Sequence, residues 1–214
     1  MKIFLDVGGH TGQTLKEVTK ERYKFDKIFC FEPSIKCYEK LKRKFKQDNV
    51  YIENIGLSNK NTFTELYRSG SKGASIYKDK HTRFYKREKN KYNFERIRLV
   101  KANEWISENL NSDDIIFMKL NCEGSECDII ENLIENNSYD IIDHIVIDFD
   151  VEKIPSQKHR KSVIRKLIKN KKNIINKKKV KKRMSKLNKR RGNKNKIIDH
   201  GEYIAFWIKK ATSK

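Results

Sequence analysis

The chain has 214 residues, enough for one domain with a sizeable core, and carries 50 Lys+Arg against 28 Asp+Glu for a formal net charge of +22. Two prolines and nine glycines exclude collagen-like and Pro-rich low-complexity classes, and no apolar run approaches the roughly 18–20 residues that span a bilayer. The opening Met1-Lys2-Ile3-Phe4-Leu5-Asp6 meets an acid after three apolar residues, unlike a signal peptide, so a cytoplasmic location is expected, with Cys30, Cys37, Cys122 and Cys127 as reduced thiols. No Cys-x-x-Cys pair and no His at zinc-ligand spacing occurs, so no metal site is expected.

In chain order, the apolar run Lys2–Val7 ends in Gly-Gly and reads as a buried strand, followed by a helix over 12–20. Residues 27–32 form a second buried strand. Pro33 follows, and Ser34 is placed to cap a helix over 36–46. Strands are expected at 50–55 and, alternating and exposed, at Thr62–Tyr67. Residues 69–93 are polar, basic and aromatic (Tyr77, Phe84, Tyr85, Tyr92) without periodicity and read as a long, lid-like loop. A strand at 95–101 precedes a helix capped by Asn103 and running to Leu110. Next come a strand at 114–121, a helix at 125–135 and a strand at 143–150. Near the end, 197–200 and 203–209 flank Gly201-Glu202, a two-residue hairpin signal. Apolar strands alternating with helices of about ten residues predict an α/β, doubly wound, Rossmann-like fold. Its mostly parallel, seven-stranded sheet would close with an antiparallel C-terminal hairpin.

The charge is concentrated. From Lys158 to Lys196, 20 of 39 residues are Lys or Arg and none is Asp or Glu; the other 175 residues hold 30 basic and 28 acidic side chains. The protein therefore reads as a nearly neutral single domain, 1–214, with a basic insertion before the closing hairpin. Apolar residues recur through that insertion at helical spacing (Val163, Ile164, Leu167, Ile174, Ile175, Val180, Met184), which predicts one or two basic amphipathic helices. Such a segment can bind an anionic polymer such as RNA, or an anionic lipid surface.

Asp6-Val7-Gly8-Gly9-His10-Thr11-Gly12 joins the first strand to its helix, and glycines there admit a ligand close to the main chain. The spacing is not Gly-x-Gly-x-x-Gly and no Lys-Ser/Thr follows, which excludes a Walker A loop. Glu32 ends the second strand, where a carboxylate faces the same crevice and can accept ribose hydroxyls. The ligand class is nucleotide-like, NAD or S-adenosylmethionine. The closing hairpin favours the latter, since dehydrogenase sheets are usually fully parallel.

The segment Asp6-Val7-Gly8-Gly9-His10-Thr11-Gly12 resembles the opening motif of FkbM-family methyltransferases, Asp-Val-Gly-Ala-Asn-x-Gly. Phe31-Glu32-Pro33-Ser34 is similar to that family's second motif. Ile55-Gly56-Leu57-Ser58 and Gly73-Ala74-Ser75 resemble two further segments. Lys119-Leu120-Asn121-Cys122-Glu123-Gly124-Ser125-Glu126 is similar to its signature Lys-x-Asp-x-Glu-Gly-x-Glu. The matches run from Asp6 to about Asp150, with His10 in place of the usual Asn and Asn121 in place of the usual Asp. The resemblance implies a class I methyltransferase fold and S-adenosylmethionine-dependent methyl transfer, usually to a hydroxyl oxygen and often on a sugar.

Within that reading Asp6, Gly8 and Gly12 shape the methionine site, and Gly9, His10 and Thr11 offer amides and side chains to its carboxylate at a helix N-terminus. Glu32, with Pro33 beside it, holds the ribose, and Asn54 and Ile55 flank the adenine. Asn121 lacks the charge of Asp but can orient the donor's amino group or an acceptor hydroxyl. The candidate general bases are Glu123, Asp148, Asp150 and His159, in that order. A saccharide acceptor is expected against 69–93 and the start of the basic segment. The alternatives are methylation of RNA, with the segment tracking phosphates, and a non-catalytic adaptor or stimulatory subunit, the reading that Asn121 keeps open.

Overall fold

The computed structural model describes residues 1–81, 93–167, 174–190 and 198–213. The main sheet contains β1 (Lys2–Val7), β2 (Lys27–Phe31), β3 (Val50–Glu53), β7 (Ile115–Leu120), β8 (His144–Ile147) and β9 (Ile174–Asn176). Its order is β3-β2-β1-β7-β8-β9 and every pair is parallel. Beside it, β4 (Gly56–Ser58), β5 (Thr62–Tyr67) and β6 (Phe94–Lys101) form a small mixed sheet in the order β4-β6-β5.

Strand alternation divides the core in two. Ile3, Leu5, Phe29, Met118 and Ile145 point to one face, against α3 (Ala102–Asn109), α4 (Glu126–Glu135) and α5 (Arg160–Leu167). Phe4, Ile28, Cys30, Phe117 and Val146 point to the other, against α1 (Leu15–Val18), α2 (Ile35–Lys44), α6 (Lys177–Arg190) and α7 (His200–Ala211). The sheet is thus buried on both sides, which is why its strands read as continuous apolar runs. The four cysteines are free thiols. Among the described residues no helix is long and apolar enough to cross a membrane.

Three expectations need correction. The C-terminal hairpin is a helix. Asp199 accepts the Glu202 amide at 2.7 Å, the Glu202 carboxylate accepts the Asp199 amide at 3.2 Å, and this capping box starts α7 where Gly201-Glu202 suggests a turn. Tyr203, Ile204, Trp207 and Ile208 are buried, a 3.6-residue rhythm, and the Trp207 ring meets Phe4 and Phe117 edge-on at 6.1 and 5.8 Å. Ile197 lies outside the described residues. Second, the main sheet has six described strands, all parallel, so the hairpin argument for S-adenosylmethionine over NAD falls away. Third, the basic segment is not wholly helical: it supplies the edge strand β9 between α5 and α6. Its residues 168–173 and 191–197, and 82–92 of the lid-like loop with Phe84, Tyr85 and Tyr92, lie outside the described residues.

Replacing Asp199 with Ala removes the α7 cap and is expected to lower stability by about 1 kcal/mol in urea denaturation. A hairpin would be almost indifferent to that change.

Candidate active site

The sheet order reverses between β1 and β7, and doubly wound folds bind ligands at the carboxyl ends of strands beside such a point. The turn after β1 is built for close approach. Gly8 has φ +85°, and a Cβ there would sit 2.2 Å from the Asn121 carbonyl oxygen; Gly12 has φ +79° and would meet the Phe45 ring at 2.4 Å. The amides of Gly8 and Gly9 both donate to the Phe31 carbonyl, at 3.0 and 3.1 Å, and the His10 amide donates to Glu32 Oε2 at 2.6 Å. The amides of Gly9 and His10 are therefore already committed to the end of β2. Glu32 Oε1 accepts the Ser34 amide at 2.9 Å, yet burial pushes its carboxyl up to about 7. Asn54 donates to the carbonyls of Glu32 and Pro33 at 3.0 and 2.9 Å and locks that corner from behind.

Beneath the turn, Lys119 Nζ lies 2.9 Å from Asp6 Oδ1, with both side chains almost fully buried. The same ammonium donates to the carbonyls of Val7 and Gly8 at 3.2 and 2.7 Å. Burial works against the lysine's charge, but Asp6 more than offsets it and Lys119 stays above the ordinary lysine range.

The loop after β7 folds around Glu126. That fully buried carboxylate accepts the amides of Cys122 at 2.8 Å and Gly124 at 3.1 Å, and burial, with Asp150 nearby, pushes it up to about 7. The loop turns through a left-handed Glu123, φ +57°, whose side chain faces the crevice. Glu123 is ion-paired with Lys80, whose buried ammonium also lies 3.3 Å from Asp150. Burial and Asp150 push Glu123 upward while Lys80 opposes them. Lys80 comes from the described part of the lid-like loop, which Ser75 ties to the Glu123 carbonyl at 2.7 Å and Tyr77 ties to Asp128 at 2.7 Å.

These elements enclose a cavity. Of the residues expected from sequence, it is lined by Gly8, Gly9, His10, Glu32, Pro33, Asn121 and Glu123. Asp6 and Gly12 are buried and support the turn, and Thr11 is exposed. Ile55 borders a different recess, with Glu53 and Trp105. Asp148 stands outside the lining, 2.7 Å from Lys177 Nζ, and Asp150 is held between Lys80 and Lys153. His159 is exposed ahead of α5 and is not part of the lining. Sequence reasoning missed Lys80 and, among the lining residues, the basic side chains Lys72, Lys177 and His200 and the apolar Phe31, Leu57 and Leu99. The Asp-x-x-Glu of the capping box would have placed His200 at the start of a helix. Its Nε2 lies 2.8 Å from Thr14 Oγ1, and burial together with Lys119, Lys177 and Lys181 pushes it down to about 3, so the imidazole is neutral. Asn121 Oδ1 and His10 Nε2 are buried without a hydrogen-bond partner.

A glycine turn, an acid ending the next strand and a crevice at a topological switch point define a doubly wound α/β protein of the nucleotide-handling kind. More narrowly, residues 6–177 match the Methyltransferase FkbM domain, and the chain belongs to that family. The match extends beyond Asp150 through α5 and β9 to the first residue of α6. Among solved structures, methyltransferase FkbM from Methylobacillus flagellatus KT is similar at 13% identity and a TM-score of 0.47, over 77% of this chain and 37% of that one. This chain thus spans little more than a third of that protein's length. No curated protein matches the sequence.

Lys119→Met strands Asp6 as a buried, unpaired charge and is expected to cost about 3–5 kcal/mol in urea denaturation, most of it recovered in the Lys119→Met/Asp6→Leu double variant. Glu32 carries a linkage signature. Its folded value of about 7 lies above the unfolded 4.5, so its contribution to stability is full below pH 4.5 and is lost as pH rises through 7. Glu32→Gln removes that loss, and its stability relative to wild type should rise by about 3 kcal/mol between pH 4.5 and 7.5.

Proposed function

We propose that the chain is an S-adenosylmethionine-dependent O-methyltransferase acting on a sugar hydroxyl. The observation that carries the reading is Glu32, a buried carboxylate lining a crevice beside the glycine turn, in a chain of the FkbM family. The residues present fit the donor. Glu32 can accept its ribose hydroxyls, and Phe31, Leu57 and Leu99 give the adenine an apolar wall. The unpartnered Asn121 Oδ1 can accept from its ammonium. When bound, the donor supplies an electrophilic methyl group on a sulfonium sulfur.

The rest of the work falls to the chain, chiefly alignment of the acceptor. Asn121 has no charge with which to take a proton. Asp148, Asp150 and His159 are not among the residues that line the cavity. Glu123 alone of the candidate bases faces the cavity, and it takes the hydroxyl proton. A carboxyl raised by burial is a better proton acceptor than an exposed one, and Lys80 opposes that rise, leaving Glu123 at about 7.

Titration calorimetry with S-adenosylmethionine tests the cofactor: Glu32→Ala should weaken binding at least tenfold, and wild-type affinity in that variant removes the ribose assignment. Glu123→Gln should lower kcat by about 10²- to 10⁴-fold and abolish the acidic limb of the pH–rate profile, along which activity falls as Glu123 protonates. Asp148→Asn should keep that limb.

A further inference from the structure

The helix α6 begins at the rim of the cavity, and its first residue, Lys177, lines it. Beyond that point Val180 and Met184 pack into the core while Lys179, Lys182, Arg183 and Lys186 are exposed. Spacings of three, four and seven residues make those four one stripe, about 10 Å long at the helical rise. Lys178 adds to it, 68% exposed and 3.2 Å from Glu152. The helix has no acid of its own, and no acid among the described residues pairs with Lys179, Lys182, Arg183 or Lys186. On the opposite side of the sheet, α3 and α4 carry Glu104, Glu108, Glu126, Asp128, Glu131 and Glu135 and no Lys or Arg. On that side α5 answers the acids, Arg160 pairing with Asp128 and Glu131, whereas the four residues of the α6 stripe have no such partners among the described residues.

The stripe also has a negative character that narrows its partner. Among the described residues the exposed large apolar side chains are Met1, Ile35, Tyr51, Phe63, Phe94, Ile115 and Val163, none of them on α6 or α7. Among the described residues this face therefore has nothing to insert into a bilayer and no aromatic platform for a neutral sugar ring. It offers charge alone, on the outward face of a helix whose first residue lines the cavity. A lipid surface cannot pass from the outer face of α6 over its first turn to a crevice, whereas a flexible chain with a charge at every unit can.

We propose that α6 is a track for the phosphodiester backbone of an RNA strand, and that the sugar hydroxyl presented in the cavity is a ribose hydroxyl of that strand. The second half rests on the methyl-transfer reading above. The ribose oxygen bonds to the methyl carbon, its proton passes to Glu123, and the methyl–sulfur bond breaks with its electron pair left on sulfur.

The test is fluorescence anisotropy with a labelled single-stranded RNA, a DNA strand of the same sequence, and phosphatidylserine-containing vesicles, on wild type and on a Lys179→Glu/Lys182→Glu/Lys186→Glu variant. All three substitutions are at exposed positions. RNA affinity should fall at least 30-fold in the variant, and the slope of log affinity against log salt should shrink by about 2. DNA should bind with similar affinity but accept no methyl group, and vesicles should not bind. RNA binding that the variant leaves unchanged, or binding to vesicles but not to RNA, overturns the track. With radiolabelled donor, methylation of oligosaccharides but not of bound RNA overturns the ribose assignment and leaves methyl transfer standing. Tight RNA binding with no donor binding in calorimetry overturns the methyl-transfer reading, and the ribose assignment with it, and leaves the track.

Discussion

The buried pair between Asp6 and Lys119 is the constraint around which the crevice is arranged. Two adjacent parallel strands present opposite charges at the same register, Asp6 opposite Lys119, inside a sheet that is otherwise apolar. Such a pair is a poor source of net stability, because both ions are removed from water. Its value is geometric. The ammonium reaches past Asp6 to the carbonyls of Val7 and Gly8, so the strand that ends in the glycine turn and the strand that ends in Asn121 cannot slide or separate without exposing a charge.

The same economy holds around the rest of the rim. The turn's amides go to the end of β2, the Glu126 carboxylate satisfies the loop after β7, and Asn54 satisfies the carbonyls at the corner of Glu32 and Pro33. Of the buried side-chain polar atoms without a hydrogen-bond partner among the described residues, His10 Nε2 and Asn121 Oδ1 belong to residues lining the crevice. Rigid walls with a small number of open valences are what a site needs to hold a ligand in one orientation, and methyl transfer depends on alignment more than on any other factor.

The strands of the main sheet up to β8 were legible because a doubly covered parallel sheet leaves unbroken apolar runs, and Lys2–Val7 or Ile115–Leu120 admits no competing reading. The glycine turn, Glu32 and the loop from Lys119 to Glu126 were legible because their residue types are dictated by backbone geometry and close approach. What was not legible depends on contacts between distant segments. Lys80 lies 43 residues from Glu123 and 70 from Asp150, in a stretch with no periodicity, and nothing local distinguishes it from the lysines around it. Lys177 and His200 reach the crevice only because β9 extends the sheet and α7 crosses it. The last of these was misread through a local ambiguity: Gly-Glu between apolar residues suits a turn, and Asp-x-x-Glu suits a helix start. The spacing of Tyr203, Ile204, Trp207 and Ile208 should have decided in favour of the helix.

Asn121 in place of the family's Asp bears directly on whether the site is catalytic. An Asp here would add a carboxylate to a rim that already holds Glu32 and Glu123, with the Lys119 charge spent on Asp6 and the Lys80 charge shared by Glu123 and Asp150. Repulsion among the carboxylates would raise their proton affinities, and at least one would stay protonated at neutral pH. With Asn at 121, the hydrogen-bonding oxygen remains and the charge does not, so one carboxylate fewer raises the proton affinity of Glu123, which Lys80 opposes. On the proposed reading, in which Glu123 takes the proton, Asn121 leaves that acceptor of the loop in place, so the substitution does not by itself favour an inert adaptor.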